Sequence, residues 1–151
     1  MSTTSDIAKM EQGIQQLMLS INDKAKRKTI SRRITTYLKG SYRARIKTQN
    51  DINDKAFEPR APIRSHKPYR LQQEKRKLLI NFTKATYLRS RYSADQLRVG
   101  YTGKMGALAK YQNEGTVQQR KRYFIKTPAR TFAGISDADW DEIEMILSEE
   151  L

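Results

Sequence analysis

Few side chains in this sequence have types and spacing suited to chemistry. The single His, His66, follows Ser65 in the run Ser65-His66-Lys67. A hydroxyl beside an imidazole is the raw material of a nucleophile–base pair. Consecutive side chains point apart, however, and the base needs an acid to orient it; none stands nearby. We read His66 as an exposed loop residue. The chain has no Cys, so it has no disulfide framework and no thiolate metal site. One His cannot make a His-rich metal or catalytic cluster. No Gly-rich phosphate loop is present. The densest carboxylates, Asp137, Asp139, Asp141 and Glu142, fall where the start of a helix favours negative charge. The expectation is therefore no enzyme, no cofactor and no metal.

What remains is charge. Thirty Lys and Arg stand against 16 acids, a net charge of +14 over 151 residues. The distribution is lopsided. Residues 136–151 hold seven acids and no base, which leaves 30 bases against 9 acids, or +21, on residues 1–135. A basic body implies acidic partners, nucleic acid or acidic protein. Joined to an acidic end, it also permits head-to-tail pairing between copies. The hydrophobic fraction is 37%, enough for a modest core in one domain, or one domain with an arm. The N-terminus lacks the basic and apolar regions of a signal peptide, and no stretch approaches a membrane span. A soluble protein made and assembled in the cytoplasm, with no membrane partner, is expected.

The elements that must position these charges can be read in order. Residues 4–21 carry Ile7, Met10, Ile14, Leu17, Met18 and Ile21 at helical spacing. This segment, residues 1–22, is either an edge helix or a docking arm on a neighbouring copy, ahead of a main domain at 23–151. Lys24 to Lys47 reads as a longer helix with an apolar stripe of Ile30, Ile34, Tyr37, Leu38 and Ile46, and ten basic residues on its other faces. With Tyr37 and Tyr42 interleaved, those faces suit phosphate contacts. Gln49 to Arg70 has no period and three prolines, and reads as a long loop of functional or mobile kind. Phe57 is expected to tuck against the fold. Pro59, Arg60 and Arg64 are offered to a partner.

Leu71 to Lys84 reads as a helix, and Thr86–Tyr92 and Gln96–Tyr101 as strands around a turn at 93–95. Met105–Asn113 reads as a short helix stopped by Gly115. Thr116–Lys126 is β-prone, with Arg120-Lys121-Arg122 marking a hairpin tip or contact surface. Ser136 caps the closing helix, with Asp139 in a short form of the capping box. Trp140, Ile143, Ile146 and Leu147 form its inward stripe. The fold class is α+β: a small antiparallel sheet packed with helices, with long N-terminal helices.

Five runs then stand in a suggestive order: Ala56-Phe57-Glu58-Pro59-Arg60, Val99-Gly100-Tyr101-Thr102-Gly103, Ala109 to Gly115, Pro128-Ala129-Arg130-Thr131-Phe132, and Gly134 to Asp139. Over roughly residues 24–151 this order resembles the phage virion morphogenesis family, the tail-completion proteins of contractile-tailed phages. Family members often have His where Tyr111 stands, so a role for that His does not transfer. The resemblance implies a structural subunit in the virion. It would form a homo-oligomeric, sixfold ring at the head-proximal end of the tail. The ring would touch tail tube and sheath proteins and neck or head-completion proteins, close to genomic DNA in the channel. Its candidate contacts are Phe57, Pro59, Arg60, Arg64, Arg120, Lys121, Arg122 and Arg130 on the basic body, and Glu142, Glu144 and Glu149 on the acidic helix. The competing reading is a nonspecific nucleic-acid-binding protein that uses the basic helix.

Overall fold

The computed structural model describes residues 9, 11–16, 21–60, 72, 76–119, 121–122 and 124–150. One helix, α1 (Lys24–Thr48), organises them. Asp23 starts it: its Oδ1 accepts from the amides of Ala25 at 2.8 Å and Lys26 at 3.3 Å. Gln49 ends it in the left-handed conformation, with its amide returned to Arg45 and Ile46. Its 25 residues span about 37 Å at a rise of 1.5 Å each, long enough to serve two apolar clusters in turn. Ile30, Ile34 and Leu38, four apart, enter the first cluster with Ile135, Ile143, Ile146 and Leu147; Ile46 enters the second with Phe57, Phe82, Ala109 and Phe132. Ser31 and Thr35 are also buried on α1, and their hydroxyls donate to the helix's own carbonyls at Arg27 and Arg32.

Residues 11–16 are helical, and Ile14 is buried in the first cluster. Strands β1 (Arg89–Tyr92) and β2 (Leu97–Gly100) pair antiparallel, with Arg89 opposite Gly100 and Tyr92 opposite Leu97, and lie against α1. Helix α2 (Gly103–Glu114) follows. Next comes a second antiparallel pair, β3 (Thr116–Gln119) and β4 (Phe124–Thr127). Helix α3 (Asp137–Glu150) closes the chain and packs on α1. Asp139 near its start meets Arg45, and Glu149 and Glu150 at its end meet Arg33, so the two helices run antiparallel. The α+β class holds. Among the described residues its strands form two separate two-stranded hairpins rather than one sheet.

The expected helix at 71–84 is not found over residues 76–84, where a turn leads to a short 3-10 helix, Ile80–Thr83. The Gln49 side chain gives the reason. Its Oε1 accepts from the Leu78 amide at 2.8 Å and its Nε2 donates to the Leu78 carbonyl at 3.0 Å, taking the two groups an α-helix would use. Leu79 then sits at φ 60°. The strand expected from Thr86 begins at Arg89, since the amides of Tyr87 and Leu88 both return to the Lys84 carbonyl. The start of the expected loop is closed rather than open. Asn50 bridges Ala56, Asp51 Oδ1 accepts from the amides of Asn53 and Lys55, and Ile52 donates to the Thr131 carbonyl. Pro62, Arg64, Ser65, His66 and Arg70 lie outside the described residues, as do Ile7, Met10, Leu17 and Met18 of the first helix.

Gly115, expected as a helix stop, also sets the direction of the second hairpin. It has φ +74°, and a Cβ there would stand 2.8 Å from the Ala129 amide nitrogen and 2.9 Å from the Thr127 carbonyl oxygen. Gly115→Ala meets both a conformation that favours glycine and backbone that cannot yield cheaply. We expect a loss of more than about 1 kcal/mol, read as a lowered midpoint in thermal unfolding. Gly40→Ala, at a helical site with open space around it, should be neutral or stabilising.

Candidate functional site

Among the buried charged residues, Asp139, Arg45 and Arg130 each hold several hydrogen bonds within the fold. Asp139 is the most densely bonded. Its Oδ2 pairs with Arg45 Nη2 and accepts from the Ser136 amide at 2.9 Å; its Oδ1 accepts from Ser41 Oγ at 2.6 Å and Tyr37 Oη at 3.1 Å. Ser136 Oγ accepts in return from the Asp139 amide at 3.1 Å, which completes the capping box. Arg45 turns Nη1 to the carbonyls of Phe132 at 3.0 Å and Gly134 at 2.9 Å. Burial alone would raise the Asp139 carboxyl; the Ser136 amide, the Ser41 hydroxyl, Arg45 and Tyr37 together outweigh it and hold the group below the ordinary carboxylate value. The same burial, with the Asp139 charge next in weight, pushes the Tyr37 hydroxyl up to about 12. All four acceptor positions of the carboxylate are filled. It is placed to lock α3, the 132–136 turn and α1 together.

Arg130 forms a second internal junction. It is 6% exposed. Its Nε donates to the Glu58 carbonyl at 2.8 Å, its Nη2 to the Pro59 carbonyl at 3.3 Å, and its Nη1 to the Gln112 amide oxygen Oε1 at 3.0 Å. Burial first, and then the neighbouring Arg60, lower its pKa from the usual guanidinium value. Arg130 thus ties the start of the 56–60 run to α2. Three of the sequence runs therefore meet at one place, through Glu58 and Pro59, Gln112, and Arg130.

The charges of α1 divide into used and free. Arg33 reaches Glu149 at 2.5 Å and Glu150 at 2.7 Å, and Arg27 reaches Asp95 at 3.4 Å. Arg45 is buried, and Arg43 donates to the Thr83 carbonyl. Lys24, Lys26, Lys28, Arg32 and Lys47 remain exposed. Neither tyrosine is presented for phosphate as the sequence suggested: Tyr42 is buried beneath the Arg45 guanidinium, and Tyr37 is spent on Asp139. Trp140, expected in the core, is half-buried at the edge of the first cluster. Phe57 is buried in the second cluster, while Pro59 and Arg60 are exposed, with Arg60 donating to the Arg76 carbonyl. Glu142 is half-buried, Glu144 exposed, and Glu149 exposed but paired within its own chain. Lys121 and Arg122 are exposed at the tip of the β3–β4 hairpin; Arg120 and Arg64 lie outside the described residues.

Among the described residues no group of three His, Cys, Asp or Glu side chains could hold a metal, and no helix is long and apolar enough to cross a membrane. The most exposed large apolar side chains are on the second hairpin: Phe124 at 69% and Val117 at 66%. The sequence marks Val117 as a β-former in a polar run and marks the basic tip, but does not single out Phe124. Among the described residues neither β3 nor β4 packs extensively on a helix, and an isolated two-stranded hairpin is marginal in water.

A comparison with protein families matched residues 5–151 to the phage virion morphogenesis family. No curated protein and no solved structure matched the chain.

Proposed function

The chain belongs to the phage virion morphogenesis family, and from that membership we propose that it is a tail-completion or terminator subunit. In this reading it forms a ring at the head-proximal end of a contractile tail and joins tube and sheath to the neck. The family gives the broader role, a virion-associated structural protein of phage assembly. The observation that carries the proposal is the family match over residues 5–151. Three features support it: a buried Arg45–Asp139 pair that is used inside the subunit, a basic body with an acidic closing helix, and the exposed Val117 and Phe124 of the second hairpin. The nucleic-acid reading keeps the exposed lysines of α1 but loses Tyr37 and Tyr42 as stacking groups.

The test is assembly in the absence of the protein. We expect tails of irregular length, or tails unable to join heads, and restoration of both on adding the purified chain. Immunogold labelling should mark the head-proximal end. Normal tails without the protein, or tight sequence-specific DNA binding by it, would overturn the reading.

A further inference from the structure

A ring needs heterologous contacts, in which one patch of each copy meets a different patch of the next. The structure carries two patches that fit those roles. The first is one face of the β3–β4 hairpin. The register sets Val117 opposite Lys126 and Gln119 opposite Phe124, so these four share a face. That face has Val117 and Phe124 diagonal to each other, Lys126 beside them, and Lys121 and Arg122 at the tip. It is apolar at the centre and basic at the rim, and all five of these residues are exposed.

The second patch is a groove of about 370 Å³ between residues 13–14 and α3. Ile14, Trp140 and Leu147 form its apolar wall, and Asp137, Asp141 and Glu144 form its rim. All three acids are exposed, and no ion pair within the chain engages them among the described residues. The other acidic pair on this helix, Glu149 and Glu150, is already taken by Arg33. The hairpin leaves the half of the fold built on Phe132 and α2; the groove belongs to the half built on Ile14 and α3.

We propose that the β3–β4 hairpin of one copy seats Phe124 and Val117 in the Ile14–Trp140–Leu147 groove of the next copy. Lys121, Arg122 and Lys126 then lie against Asp137, Asp141 and Glu144. The occupant is a second copy of this chain because charge matches on both sides: a basic rim around an apolar knob, and an acidic rim around an apolar slot. Seating would cover a hairpin that is marginal by itself and would bury the open face of Trp140. The contact rests on the ring reading above and names its interface.

The absence of Cys makes a clean test possible. Gln119 and Glu144 are both exposed, so Gln119→Cys and Glu144→Cys in one chain should fold. Treated with a short bis-maleimide at assembly concentration, and on purified tails, the double variant should give a ladder of covalent oligomers ending at the ring. Each single variant should give none. In a second arm, Lys121→Glu with Arg122→Glu should weaken self-association at least tenfold, and adding Asp141→Lys with Glu144→Lys should restore it. Oligomers without a ladder, or a link formed only within one chain, would overturn the hairpin–groove contact and leave the ring reading standing. A chain that stays monomeric and never binds tails would overturn both.

Discussion

Asp139→Ala should cost about 3–5 kcal/mol, the usual result of removing one partner from a buried ion pair. It is therefore expected to leave little of a typical stability of about 5–15 kcal/mol. The reason is what remains behind. Arg45 would keep its charge inside the fold with only two carbonyls for company, and the hydroxyls of Ser41 and Tyr37 and the amide of Ser136 would lose their acceptor. Replacing both members of the pair, Arg45→Met with Asp139→Leu, should recover much of the loss, because no unpaired charge is then buried. Urea unfolding of the three variants and the parent makes the comparison, and a small cost in Asp139→Ala would show that the pair does not hold the helices. The pH dependence has a definite sign. The folded carboxyl titrates below its unfolded value, so its contribution is fully present above about pH 4. It is lost as pH falls through the lower folded value. The parent should therefore lose stability on acidification in that window, and the double replacement should lose less.

Signals confined to a few neighbouring residues were legible in the sequence. Ser136 and Asp139 do form the capping box, Gly115 does end a helix, and Lys121 and Arg122 of the basic run do stand between two strands. The spacing of Ile30, Ile34 and Leu38 placed α1 correctly against the core. What could not be read was the use a distant residue makes of a local group. Arg45 looked like one basic residue among ten on a solvated helix, yet its partner is 94 positions away. Asp139 looked complete as a cap and turned out to serve three partners on α1, Arg45, Ser41 and Tyr37. Leu71–Lys84 has helical composition, but the Gln49 amide claims the backbone of Leu78 and the helix does not form there. Arg130 stood out in the motif Pro128–Phe132 and read as a surface contact; burial and three internal acceptors make it a tie between segments. In each case composition described the residue and the long-range hydrogen bond decided its role.

Two phenylalanines eight residues apart should show the difference between body and contact surface. Phe132 is fully buried, with its ring 5.5 Å from Phe82 and 5.9 Å from Tyr101, which meet each other edge to face at 5.2 Å. Its carbonyl also accepts from Arg45, so it joins the second cluster to the ion pair of α3. Phe132→Ala removes a ring that Phe82 and Tyr101 both contact, at an expected cost of about 3–5 kcal/mol. For a chain of this length that corresponds to a fall of roughly 6–20 °C in the thermal midpoint. Phe124→Ala removes a ring that is 69% exposed and should change stability by no more than about 0.5 kcal/mol. In assembly the order should reverse. Phe124→Ala should fold like the parent and fail to self-associate, whereas any assembly defect in Phe132→Ala should track the fraction unfolded and recover at lower temperature. Calorimetry and sedimentation on the same two variants separate the effects. A Phe124→Ala protein that loses stability as severely as Phe132→Ala would place Phe124 in the core of the subunit and remove it from the contact between copies.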